Sequence, residues 1–173
     1  MYSYPTTLDT VSKVVSAFMV GLCIFLLFMV FSNITKGNQG VAPTLTVSLV
    51  SALLLATTLY CYFNMPRAIT TGPEKITIET KAKALLIYYN DIRSIRKAND
   101  GEMSGVVRTF GNGGCFGYTG LYYNKALGSM RWYCTQRKNY IIIEKNDGKR
   151  LVVTCDDPNG FLGDANLKAL VAK

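Results

Sequence analysis

Two long uncharged stretches near the N-terminus constrain this chain more than any other feature. Val14–Ile34 is 21 residues without a charged side chain, and Gly37–Pro66 is 30, most apolar over Val47–Phe63. A helix rises about 1.5 Å per residue, so about 20 apolar residues cross a hydrocarbon core about 30 Å thick. Both stretches are long enough. The sequence therefore predicts two spans, over residues 12–34 and 43–64, in an N-terminal hairpin of residues 1–66, followed by a polar domain of residues 67–173.

The charges divide at the same place. Residues 1–65 hold only Asp9, Lys13 and Lys36, while the rest carries 17 of the 19 basic and 10 of the 11 acidic residues. The polar part is long enough for one domain with its own core. Its basic balance suggests attraction to anionic headgroups, but the charge is spread along the chain rather than blocked, which favours a positive-inside bias with ordinary surface lysines over specific lipid recognition. The first stretch exceeds a signal-peptide core, and Phe31-Ser32-Asn33-Ile34-Thr35-Lys36 offers no small-x-small cleavage site. The linker Thr35–Ala42 is short and rich in turn formers, as a helical hairpin requires. Ala17 and Gly21 on one span, and Ser48, Ala52 and Ala56 on the other, are small residues at helical spacing, suited to close helix packing. Arg67, Lys75, Lys81 and Lys83 follow the second span, against Lys36 in the linker, so both termini are expected on the cytoplasmic side. Cys115, Cys134 and Cys155 are odd in number with no CxxC spacing, which fits free thiols in a reducing compartment.

The polar part patterns as strands. Lys75–Thr80 alternates apolar and polar, the period of a half-buried strand. Ala84–Tyr89, Asp91–Lys97, Met103–Phe110 and Arg131–Thr135 follow. Tyr140–Lys145 and Lys149–Cys155 flank Asn146-Asp147-Gly148, a hairpin turn. Asp157-Pro158 then reads as N-cap and first residue of a helix using Phe161, Leu162, Ala165, Ala169 and Leu170. Six or seven antiparallel strands closed by one helix make a small barrel or sandwich.

The residue inventory narrows the chemistry. The chain has no histidine, which excludes Ser-His-Asp, Cys-His and histidine-metal sites together. Asp156-Asp157 is the one adjacent acidic pair, and neighbouring strand residues point to opposite faces, so capping suits it better than catalysis. The domain cysteines match no zinc spacing. No catalytic residue, metal or cofactor is expected. The densest local pattern is Arg108-Thr109-Phe110-Gly111-Asn112-Gly113-Gly114-Cys115-Phe116-Gly117-Tyr118-Thr119-Gly120. It is neither a dinucleotide fingerprint nor a Walker loop. Two readings remain open: a ligand or partner loop, or a long structural turn whose aromatics fill the core.

That segment, with Tyr133-Cys134-Thr135 and Asp156-Asp157-Pro158, resembles the bacterial pleckstrin-homology (PH)-like domains over residues 67–173. The resemblance implies a bent antiparallel barrel of about seven strands with a C-terminal capping helix, no enzymatic activity, and a binding or assembly role at the bacterial cytoplasmic membrane. Eukaryotic relatives that hold phosphoinositides carry a basic pattern on their first two strands, to which Lys75, Lys81 and Lys83 come close. Here the last position is a lysine where the pattern has arginine, which replaces a bidentate donor with a point charge. Non-specific attraction to anionic headgroups fits better than a stereospecific pocket.

The expectation is a membrane-anchored, non-catalytic protein-interaction or scaffolding module. Candidate contacts are Arg108, Phe110, Gly111, Asn112, Gly113, Gly114, Phe116 and Tyr118, with Arg93, Arg96 and Lys97, which could take a partner peptide if they lie on an edge strand. The alternatives are an anionic-lipid-responsive sensor using Lys75, Lys81 and Lys83, or an accessory subunit of a larger membrane complex. No nucleic acid is expected; a homo-oligomer is permitted.

Overall fold

The computed structural model describes residues 1–36, 41–99, 101–164 and 166–167. The chain runs β1 (Tyr2–Pro5), α1 (Thr10–Lys36), α2 (Val41–Phe63), β2 (Pro66–Thr71), β3 (Lys75–Thr80) and β4 (Ala84–Tyr88). A 3-10 turn leads to β5 (Ile92–Lys97), then β6 (Val107–Gly114), β7 (Gly117–Asn124), β8 (Gly128–Cys134), β9 (Tyr140–Lys145), β10 (Arg150–Thr154) and α3 (Pro158–Leu162).

Both long helices pass the test of length and apolarity for a membrane span: Thr10–Thr35 has mean hydropathy 2.8 and Pro43–Phe63 has 1.8. They are not core helices. Phe18 is 68% exposed, Phe28 64%, Leu49 71% and Leu53 68%. The helices meet along Ser16 and Cys23 on α1 and Ser51 and Thr58 on α2, all buried, with Cys23 Sγ 3.5 Å from Thr58 Oγ1. The contact stripe is therefore not the expected one: Ala17, Gly21, Ala52 and Ala56 are exposed and Ser48 is half-buried. Residues seven apart return to one helix face, and the buried hydroxyls of Ser16, Ser51 and Thr58 each bond the carbonyl four residues back, so small polar side chains suit the contact.

The strands form two sheets, ordered β1-β2-β3-β4 and β5-β9-β10-β8-β7-β6. Every neighbouring pair is antiparallel except β8 with β10. Strands β9 and β10 carry a core on each face. Ile141, Ile143, Leu151 and Val153 join Ile69, Ile76, Ile78, Ile95 and Phe161 on one side. Ile142 and Val152 join Tyr118, Tyr122, Met130 and Trp132 on the other. Burial on both faces is why Ile141-Ile142-Ile143 reads as an unbroken apolar run rather than an alternation.

The described residues contain ten strands, and the three without a sequence expectation are β1, β2 and β7. Strand β1 precedes the first span, yet pairs with β2, which follows the second, from Tyr2↔Thr71 to Pro5↔Ala68. The N-terminal residues thus complete the domain's four-stranded sheet. Tyr4 packs edge-on against Phe161 at 5.3 Å and its hydroxyl donates to Asp164 Oδ2 at 3.2 Å. Asp156 accepts from the Thr7 amide at 3.1 Å and hydroxyl at 2.8 Å. Asp157 caps α3 by accepting the Gly160 amide at 2.8 Å, as its position before Pro158 predicts. Helix α3 is shorter than expected, ending at Leu162; Ala165, Ala169 and Leu170 lie outside the described residues.

Candidate functional site

The glycine-aromatic segment is a hairpin rather than a loop. Strands β6 and β7 pair from Val107↔Tyr123 to Gly114↔Gly117, leaving only Cys115 and Phe116 at the tip. Glycine is depleted in strands, so its density hides the period-2 signal here. Gly111 faces Gly120 across the pair at φ +115° and +133°. A Cβ on Gly111 would overlap the Thr119 carbonyl, and one on Gly120 the Phe110 carbonyl. Only glycine permits these two strands to cross so closely at these angles.

The tip is seated on the helices. Phe116 is in the left-handed region at φ 57°, costly for an aromatic residue. Its amide donates to Ser16 Oγ at 2.7 Å, and its ring meets Tyr62 edge-on at 5.2 Å. Ser12 Oγ donates to the Gly114 carbonyl at 2.7 Å. The Tyr118 ring is buried, and its hydroxyl donates to Asp9 at 3.1–3.2 Å. Asp9 also accepts the Ser12 amide at 2.7 Å, capping α1, and the Arg137 amide at 3.1 Å. One carboxylate therefore ties α1, the hairpin and the loop after β8 together. Burial first, and the Asp9 carboxylate second, push the Tyr118 phenol up. Cys115 lies beside Cys61 of α2; burial and that neighbouring thiol push it up to about 12, so it is a poor nucleophile.

The hairpin's shaft is different. Val107, Phe110, Leu121 and Tyr123 share its outer face, and Phe110 is 75% exposed. Between this face and the domain-proximal ends of α1 and α2 runs a groove of about 650 Å³. Met19, Tyr60 and Cys61 form its helical wall and Phe110, Gly111, Gly120 and Leu121 its sheet wall. Lys83, Arg108 and Arg131 also line it, and among the described residues no acid does. Among the described residues none of these three cations is in a salt bridge. On the sheet's inner face a second cavity, about 440 Å³, is lined by Arg108, Arg137, Tyr118, Tyr122, Trp132 and Tyr140 among others. Tyr122 stacks on Trp132 at 4.1 Å, and the buried indole N–H of Trp132 has no acceptor among the described residues.

The remaining candidates are scattered. Asn112 braces the hairpin, its side chain accepting the Cys115 amide at 3.0 Å and donating to the Gly117 carbonyl at 2.9 Å. Gly113 lies under the Arg108 guanidinium, and Gly114 faces Val15 of α1. Strand β5 is a sheet edge, the condition set for peptide pairing; Arg93 and Lys97 on it are exposed. Arg96 is engaged by Glu102 through two bonds of 2.6 and 2.8 Å. The lysines divide. Lys83 reaches the groove, and Lys81 Nζ sits 3.4 Å over the Tyr62 ring, both beside the end of α2, where the Ala82 amide bonds the Phe63 carbonyl at 2.9 Å. Lys75 begins β3, about 17 Å away at the usual strand rise.

Sequence reasoning missed Asp9, Ser16, Tyr62 and Arg131. Asp9 had a signal: it is the sole acid before residue 66 and stands three residues before Ser12, the spacing of an N-cap.

A family model described as bacterial PH domain matches residues 67–169. No curated protein and no solved structure matches the chain.

Proposed function

Since the chain belongs to the bacterial PH domain family, we propose that it is a membrane-held, non-catalytic interaction module whose ligand site is the groove between the outer face of its hairpin and the two apolar helices. The observation that carries this reading is the seat. The domain is joined to its spans by β1 pairing, by Asp9 and by Phe116 on Tyr62, not by a free linker. A seated domain presents the same surface at the same height above the bilayer at all times. Lys81, Lys83 and Arg67 at the α2 end favour the cytoplasmic face by the positive-inside rule. Tyr60 and Tyr62 suit the interfacial belt at that end. A protein partner, if one pairs by backbone, has the edge of β5 beside Arg93 and Lys97.

The test is site-specific photocrosslinking in native membranes, with a photoreactive residue at Phe110, in the groove, or at Lys125, an exposed residue away from it. The reading predicts adducts from position 110 and none from 125. Absence of any adduct from 110 contradicts a ligand-binding groove.

A further inference from the structure

Deepening that reading, and resting on it, we propose that the occupant of the groove is one anionic phospholipid of the surrounding bilayer. The groove combines an apolar lining with three cations. Met19 lies nine residues into α1, about 14 Å along the helix, and Thr57 six residues before the end of α2, about 9 Å along it. These side chains sit at the depth of the upper acyl chains if the domain rests at the headgroup level. Phe110 and Leu121, paired across β6 and β7, face them from the sheet. Arg131 of β8, the cross-strand partner of Leu121, lines the groove beside them, with Lys83 from the β3–β4 turn and Arg108 of β6.

An apolar slot along two helices, lined also by cations, matches a molecule that carries both an acyl chain and a phosphate. A soluble anion would leave Phe110, Leu121 and Met19 facing water. A neutral lipid would leave Lys83 and Arg131 facing a headgroup of no net charge, with no acid among the described lining residues to balance them. The volume, about 650 Å³, holds a headgroup and the upper part of a chain, with the remainder in the bilayer. This place differs from a cluster of Lys75, Lys81 and Lys83, from which the fold sets Lys75 apart; it depends on Arg131, 48 positions after Lys83 in sequence and brought in by β-pairing of Leu121 with Arg131.

The experiment is native mass spectrometry of the full-length protein in detergent, titrated with phosphatidylglycerol or with phosphatidylcholine of the same chains. The expected result is retention of phosphatidylglycerol in preference to phosphatidylcholine. Lys83→Ala and Arg131→Ala are each expected to weaken it about fivefold, the effect of one cation at an anionic surface. Lys75→Ala, on the distant end of β3, leaves it unchanged. Equal retention of both lipids, or indifference to Lys83→Ala and Arg131→Ala together, overturns the proposal. So does displacement of phosphatidylglycerol by glycerol phosphate at equal concentration, which would make the site a simple anion site. A polypeptide adduct from position 110 in the crosslinking above would keep the groove as a ligand site and still overturn the lipid; no adduct at all would remove both.

Discussion

The tip and the shaft of the β6–β7 hairpin are made of the same residue types and have opposite fates. At the tip, Gly114, Cys115 and Tyr118 are buried, and the Phe116 amide and ring are both spent on α1 and α2. Along the shaft, Val107, Phe110, Leu121 and Tyr123 remain exposed, beside a groove whose cations form no salt bridge among the described residues. Glycines and aromatics therefore do not by themselves mark a partner site. What separates the two ends is whether another part of the same chain reaches them. At the tip it does, because β1 and Asp9 draw the start of α1 against the domain.

Substitutions at the two ends should separate accordingly. The largest effect is expected for Tyr118→Ala, which empties a fully buried ring position and leaves Asp9 without its hydroxyl donor. A loss of about 3–5 kcal/mol follows from comparable aromatic truncations, read as a lowered unfolding midpoint in detergent. A midpoint within a degree of wild type would place that ring outside the core.

Next is Glu102→Gln, at the root of the shaft, where Glu102 holds Arg96 through a bidentate pair with side chains 15% and 26% exposed. The Arg96 hydrogen bonds hold its carboxyl below the usual carboxylate range, and Arg150 does the same for Glu144. A depressed carboxylate contributes stability that is complete above its unfolded value, about pH 4.3, and is lost as pH falls through the folded value. The variant should therefore trail wild type by about 1 kcal/mol at neutral pH and converge on it in acid. A gap that widens in acid would reverse the sign and sink this account of the pair.

The smallest effect on stability is expected for Phe110→Ala, within about 0.5 kcal/mol, because its ring is 75% exposed. The same change should reduce lipid retention or crosslinking in the groove. Equal losses of stability at Phe110 and Tyr118 would erase the distinction between shaft and tip.

The sequence carried much of this fold. Unbroken apolar length marked α1 and α2, alternation marked β3, and Asn146-Asp147-Gly148 marked the β9–β10 turn. Asp157 before Pro158 marked the cap of α3. Strand β7 was hidden because Gly117 and Gly120 interrupt its pattern, although they are what let it cross β6. Strand β1 was hidden for a topological reason: four residues before a long apolar helix give no sign that they pair with a strand following a second such helix. The groove was less legible still. Phe110 and Arg108 could be singled out locally, but Arg131, Lys83 and Met19 join them only through pairing and docking across the whole chain.

The central claim is that the domain is seated on its own spans through Asp9 and the hairpin tip. Hydrogen–deuterium exchange of residues 112–118 in lipid nanodiscs tests it most directly, on wild type and Asp9→Ala. The account predicts slow exchange of the Phe116 amide in wild type, because it is bonded to Ser16 Oγ at 2.7 Å, and clear acceleration at the tip in the variant while β9 and β10 stay protected. Rapid exchange at the tip of wild type, as fast as at the exposed Asn146–Gly148 turn, would contradict it and return the domain to a tether.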